Sequence, residues 1–114
     1  MGMTVTVTRT GGIAGGERQL VVSKDGSWVY TDRQTGTVKR GQLTTAQQTQ
    51  LVQVLENPAL TKEARTGGSS IGCNDSFVYS IQVGEASLRY DQCNAGKRPT
   101  TKQLIAVLTA ATPL

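Results

Sequence analysis

The 114-residue sequence carries two cysteines, 8 acidic residues and no histidine. The missing histidine takes away the commonest general base, the commonest zinc ligand and the usual pH switch together. Gly68-Ser69-Ser70-Ile71-Gly72 matches the G-x-S-x-G outline of a nucleophile elbow, in which a strained turn between strand and helix lifts the serine toward its base. Nothing activates Ser70, because no imidazole is present and the run leads into strand-like sequence rather than a helix; a turn-rich loop is the better reading. Gly11-Gly12 and Gly15-Gly16 lack the Lys and Ser/Thr of a phosphate loop and precede a strand, so no helix N-terminus follows to receive a phosphate. Glu17, Asp25, Asp32 and Glu85 fall at or near turns, where carboxylates are ordinarily solvated and a glycosidase-type pair is not indicated. Two cysteines without histidine do not make a structural zinc site. The expectation is a protein that is not an enzyme, with no catalytic residue, no metal and no cofactor.

Lys and Arg total 12 against 8 Asp and Glu, for a net charge of +4. The cations are scattered, from Lys24 and Arg33 through Lys39, Arg40 and Lys62 to Arg89 and Lys97, with acids interleaved and no stacking aromatics beside them. A nucleic-acid partner wants a continuous basic stripe instead. Apolar runs are only a few residues, far short of the roughly 20 that span a bilayer, so no transmembrane segment is expected. Met1-Gly2-Met3 reads as a replaced start ahead of a single domain over residues 4–114, and export cannot be read from that end.

The elements that would position any functional group follow from periodicity. Residues 4–9 alternate Thr with Val5 and Val7, the period of a strand with one face on a core. Residues 18–23 and 27–31 flank Asp25-Gly26, which points to a type I′ hairpin. Trp28 and Tyr30 share a face, and residues 37–43 form a fourth strand with Val38 and Arg40 expected on opposite faces. Thr44-Thr45-Ala46-Gln47 fits a capping box opening a helix that buries Leu51, Val54 and Leu55 and ends at Asn57-Pro58, with a short capped turn through Lys62. Residues 65–76 are dense in turn formers. Phe77, Tyr79, Ile81 and Val83 alternate, and a turn at Gly84-Glu85 sets them against Gln92, Tyr90, Leu88 and Ala86. Thr100-Thr101-Lys102-Gln103 is a second capping-box candidate before Leu104, Ile105, Val107, Leu108 and Ala111. The expected fold is α+β: an antiparallel sheet of about six strands, as a four-strand meander, helix, hairpin and helix, with both helices on one face.

In that register Cys93 lies opposite Ser76, three residues after Cys73, so a short bend brings the two sulfurs within reach of a disulfide. A bridge closing a loop of roughly 20 residues stabilises a small domain by about 3 kcal/mol, and it persists only in an oxidising compartment. Asn74-Asp75-Ser76 is formally a glycosylation sequon, a three-residue match that arises readily by chance.

A disulfide-tied scaffold with two glycine-rich loops, one holding Ile13 and the other Ser69, Ser70 and Ile71, suits recognition of a protein partner. A preformed loop loses little ordering entropy when it enters a cleft; the alternative is that both isoleucines tuck under their own loops. The opening run Thr-Val-Thr-Val-Thr-Arg-Thr-Gly-Gly-Ile-Ala-Gly at residues 4–15 resembles the start of the emfourin family of small protealysin inhibitors. In that family a strand, Arg, Gly-Gly, a large apolar residue and Ala follow in order. The likeness continues loosely through Asp25-Gly26, the helix at 44–56 and the closing helix. The resemblance implies a noncatalytic inhibitor of thermolysin-like zinc metallopeptidases, with Arg9, Gly11, Gly12, Ile13 and Ala14 matching the motif and the zinc belonging to the target; a monomer is expected. The cysteine pair departs from plainer members and implies a secreted or cell-envelope relative, such as a lipoprotein domain. A second resemblance runs from Cys73 to Cys93, where cysteine, strand, turn, strand and cysteine is similar to the streptomycete subtilisin inhibitors. There the reactive bond follows the first cysteine, which would place Asn74, Asp75 and Ser76 at it. A cell-envelope binding module with no peptidase target is the remaining alternative.

Overall fold

Apolar and polar residues alternate through β1 (Val5–Gly11) and β6 (Ala86–Asp91); β2 (Arg18–Val22), β3 (Ser27–Asp32) and β5 (Phe77–Val83) each hold a run of three apolar residues, and β4 (Thr37–Gln42) is mostly polar on both faces. The computed structural model describes residues 4–11, 16–65, 77–84, 86–91, 99–112 and 114. Its six strands make one antiparallel sheet in the order β4-β3-β2-β1-β5-β6, so the meander of four strands is extended beside β1 by the β5–β6 hairpin. The registers line side chains into rows across the sheet. One row is Lys39, Tyr30, Leu20, Val7, Ile81 and Leu88; the next is Gly41, Trp28, Val22, Val5, Val83 and Ala86. Tyr30 to Leu88 are all buried, with Leu20 and Val7 fully so. On the other face Thr6, Thr8, Gln19, Val21, Val29 and Thr31 are only half-buried.

Among the described residues three helices, α1 (Thr45–Leu55), α2 (Pro58–Arg65) and α3 (Pro99–Ala111), supply most of the rest of the core, with Leu43 and Leu114 outside them. Leu51 and Val54 of α1, Leu60 of α2, and Leu104, Ile105 and Leu108 of α3 join the buried strand residues in one cluster. Each fully buried leucine contributes about 1.5–3 kcal/mol by leaving water. Among the described residues no helix is long and apolar enough to cross a membrane.

Several local expectations change. The β2–β3 connection is not type I′: among the described residues no non-glycine has positive φ, so Asp25 does not, while Gly26 sits at φ 87°. Ser23 N–H donates to the Ser27 carbonyl at 2.8 Å and Gly26 N–H to Ser23 at 2.9 Å, giving a three-residue loop whose third position requires a left-handed glycine. Val38 and Arg40 lie on the same face, as residues two apart in a strand must. The turn after Asn57 is a third helix of eight residues, started by Asn57 Oδ1 accepting from Ala59 N–H at 3.0 Å and by Pro58 in the first position. The α3 capping box does not form, because Pro99 already begins the helix and Thr100 stands inside its first turn. The α1 box does form, with both reciprocal bonds present.

Candidate functional site

At one end of the sheet β1 finishes and β5 begins. Gly11, the last residue of β1, pairs directly with Phe77, the first of β5. Segment 12–15 therefore leaves the sheet next to the point where segment 66–76 re-enters it, and Asp91, opposite Val78, sends segment 92–98 away from the same end. Gly12, Ile13, Ala14, Ser69, Ser70, Ile71, Cys73 and Cys93 lie outside the described residues. Their stems are described, and the stems are braced.

On the return side of segment 12–15, Glu17 C=O accepts from Arg33 N–H at 3.0 Å, and the Arg33 guanidinium stands 3.5 Å from the Glu17 carboxylate. Gly16 approaches the end of the exposed Gln34 side chain in the β3–β4 turn, which can swing aside for a larger residue. That turn is fixed from below by Asp32, whose Oδ1 accepts from Gln34 N–H at 3.0 Å and whose Oδ2 lies 3.4 Å from Arg18 Nε. The outgoing and returning stems are thus held by a neighbouring strand and a neighbouring turn.

Beneath the stems runs a row of Asp32, Arg18, Arg9, Tyr79 and Tyr90 on the packed face of the sheet. Arg9 is buried, at 9% exposure. The Tyr79 and Tyr90 rings lie 5.9 Å apart with their planes tilted by 50°. Burial pushes the Tyr79 phenol above its ordinary value, so it stays protonated and supplies no base near neutral pH.

The far ends of the other two segments meet at Glu63. This buried carboxylate, on α2 two residues before the helix ends, accepts from Thr100 N–H at 3.1 Å, Thr101 N–H at 2.8 Å and Thr101 Oγ1 at 2.9 Å. Burial raises its pKa, but the bonds from Thr101 and Thr100 together outweigh that and hold the group below 4.5. Glu63 therefore ties the departure point of segment 66–76 to the arrival point of segment 92–98. Sequence reasoning missed it, and the only signal was Pro99 at a helix start followed by buried amides needing an acceptor.

Among the described residues, concavities lie elsewhere. One of about 310 Å³ runs along α1 over Thr45, Gln48, Thr49, Val52 and Gln53. Another of about 110 Å³ is lined by Leu55, Leu60, Thr61, Val83, Ala86 and Leu88. Among the described residues neither lining contains an ionisable side chain. Among the described residues no three His, Cys, Asp or Glu side chains cluster as metal ligands would. No family model matches the chain, and no curated protein matches it.

Proposed function

We propose that this chain is a noncatalytic inhibitor of a secreted thermolysin-like zinc metallopeptidase, presenting segments 12–15 and 66–76 to the enzyme's cleft. The observation that carries the reading is the Gly11–Phe77 pairing, which roots both segments on adjacent strands at one end of the sheet. The brace of Glu17 on Arg33 adds a second anchor, so segment 12–15 is spanned by fixed points on both sides. Insertion from such mounts costs little ordering entropy. The emfourin-like opening, with Arg9 buried below and Gly11 at the strand end, supports the same assignment. In this reading the protein acts outside the reducing cytosol as a monomer, with Cys73 and Cys93 bridged.

The purified protein should slow a thermolysin-like peptidase competitively, and Ile13→Asp should raise the inhibition constant by at least about tenfold while leaving thermal unfolding unchanged. Absence of inhibition across a panel of metallopeptidases and subtilisins would refute the proposal; inhibition of subtilisins alone would favour the serine-peptidase alternative. Counting thiols in denaturant without reductant checks the compartment, since two free thiols reject the bridge.

A further inference from the structure

We propose that the β4 edge is a docking strand for an extended acidic segment of a partner protein, which would add to the sheet as a seventh strand. This does not rest on the inhibitor reading, since β4 is the outer strand on the side of the sheet away from β5 and β6.

The hydrogen-bond phase of the edge follows from one contact. Leu43 N–H donates to Gly26 C=O at 2.9 Å, which makes that pair, and by alternation Gly41–Trp28, Lys39–Tyr30 and Thr37–Asp32, the inward-bonded pairs of the ladder. Val38, Arg40 and Gln42 then turn their N–H and C=O groups outward along the edge. Natural edges are blunted by bulges, prolines, short length or charged side chains; β4 keeps unbroken register with β3 over six residues and contains no proline, so its two cations, Lys39 and Arg40, are the feature that selects what can pair there. Val38 is 53% exposed.

The chemistry of the occupant comes from the charges. β4 carries Lys39 and Arg40 on opposite faces and no acid. Asp32, the acid on the adjoining strand, is engaged by Arg18 and the turn amides. An incoming strand with two consecutive acidic residues meets one cation on each face. A second copy of this chain is a poorer occupant, because β4 brings cations and no acid to the pair and the centred antiparallel register sets Arg40 against Arg40. Gly41 adds an aromatic element: a side chain there would overlap the Trp28 indole, so the half-buried ring lies over the strand on the Lys39 side, in reach of an apolar residue flanking the acids.

The test is a titration of ¹⁵N-labelled protein with the capped peptide Thr-Val-Glu-Glu-Val-Thr and its Gln-Gln counterpart. The expected result is slowed hydrogen exchange at the amides of Val38, Arg40 and Gln42, with the Glu peptide binding about tenfold or more tighter and its advantage shrinking as salt rises. Val38→Pro removes an edge-facing N–H without breaking a bond to β3 and should abolish the protection at unchanged thermal stability. Should that variant unfold, Arg40→Glu serves instead and should reverse the preference toward a Lys-Lys peptide. Equal binding of the Glu and Gln peptides, protection on other strands, or self-association through the same amides would overturn the proposal.

Discussion

The starts of α1 and α3 solve the same problem in opposite ways. Each helix leaves N–H groups of its first turn without partners in the helix, and each sequence offers a Thr-Thr-x-Gln run at that point. At α1 the answer is local: Thr44 Oγ1 accepts from Gln47 N–H at 3.1 Å, and Gln47 Oε1 accepts from Thr44 N–H at 2.9 Å. At α3 the acceptor is Glu63, 37 and 38 residues earlier in the chain. The difference follows burial. Thr44 is exposed, so water can share the work, whereas Thr101 is fully buried and its amide must find a protein acceptor. A carboxylate answers best there, since it accepts two amides and a hydroxyl at once and its charge complements the helix dipole. A local cap starts a helix; a remote one also joins two elements.

The remote cap should therefore be the costlier to lose. Glu63→Ala leaves two amides and the Thr101 hydroxyl without this acceptor and should destabilise the domain by about 3 kcal/mol in chemical denaturation, a large part of the roughly 5–15 kcal/mol that such a domain has. Glu63→Gln keeps the shape and one oxygen acceptor, and should cost about 1–2 kcal/mol at neutral pH. The charge has its own signature. Because the folded pKa of Glu63 lies below 4.5, its contribution is fully present above that value and fades as pH falls through the folded value. Melting temperatures measured from about pH 7 down to pH 3 should fall more steeply for the wild type than for Glu63→Gln.

The local cap should cost less. Thr44→Ala should lower stability by about 1 kcal/mol, with the loss confined to faster amide exchange in the first turn of α1. A loss as large as that for Glu63→Ala would mean that the α1 start also ties elements together and that the contrast in burial is not the cause.

What the sequence made legible follows the same division. Strand periodicity, the Val83–Ala86 hairpin register and the Thr44 box depend on residues within a few positions of one another, and all three appear in the structure. The β2–β3 loop was misread at the level of one dihedral, since Asp-Gly supports both two- and three-residue loops and only the backbone bonding between Ser23 and Ser27 distinguishes them. Glu63 was invisible because nothing within α2 marks its partner, and the same holds for Arg33 bracing Glu17. For the candidate site this left the motif residues readable but not their mounts: only the sheet order sets Gly11 beside Phe77.

The smallest effect expected belongs to the most local contact. Asp25 Oδ1 accepts from Ser27 Oγ at 2.6 Å and from Ser27 N–H at 2.9 Å, on an exposed turn. The Ser27 hydroxyl is the larger influence and its amide the next, and together they hold the carboxyl below 3.8. Ser27→Ala removes the first and keeps the second, so a carboxyl titration by NMR should show Asp25 moving partway back toward 3.8 while the melting temperature stays put. The turn itself is held by Gly26 in its left-handed conformation and by the Ser23–Ser27 backbone bond, neither of which needs the hydroxyl. A drop in melting temperature approaching that of Thr44→Ala would show that water does not replace an exposed side-chain bond at this turn, and exposure would then no longer explain why α1 manages with a local cap.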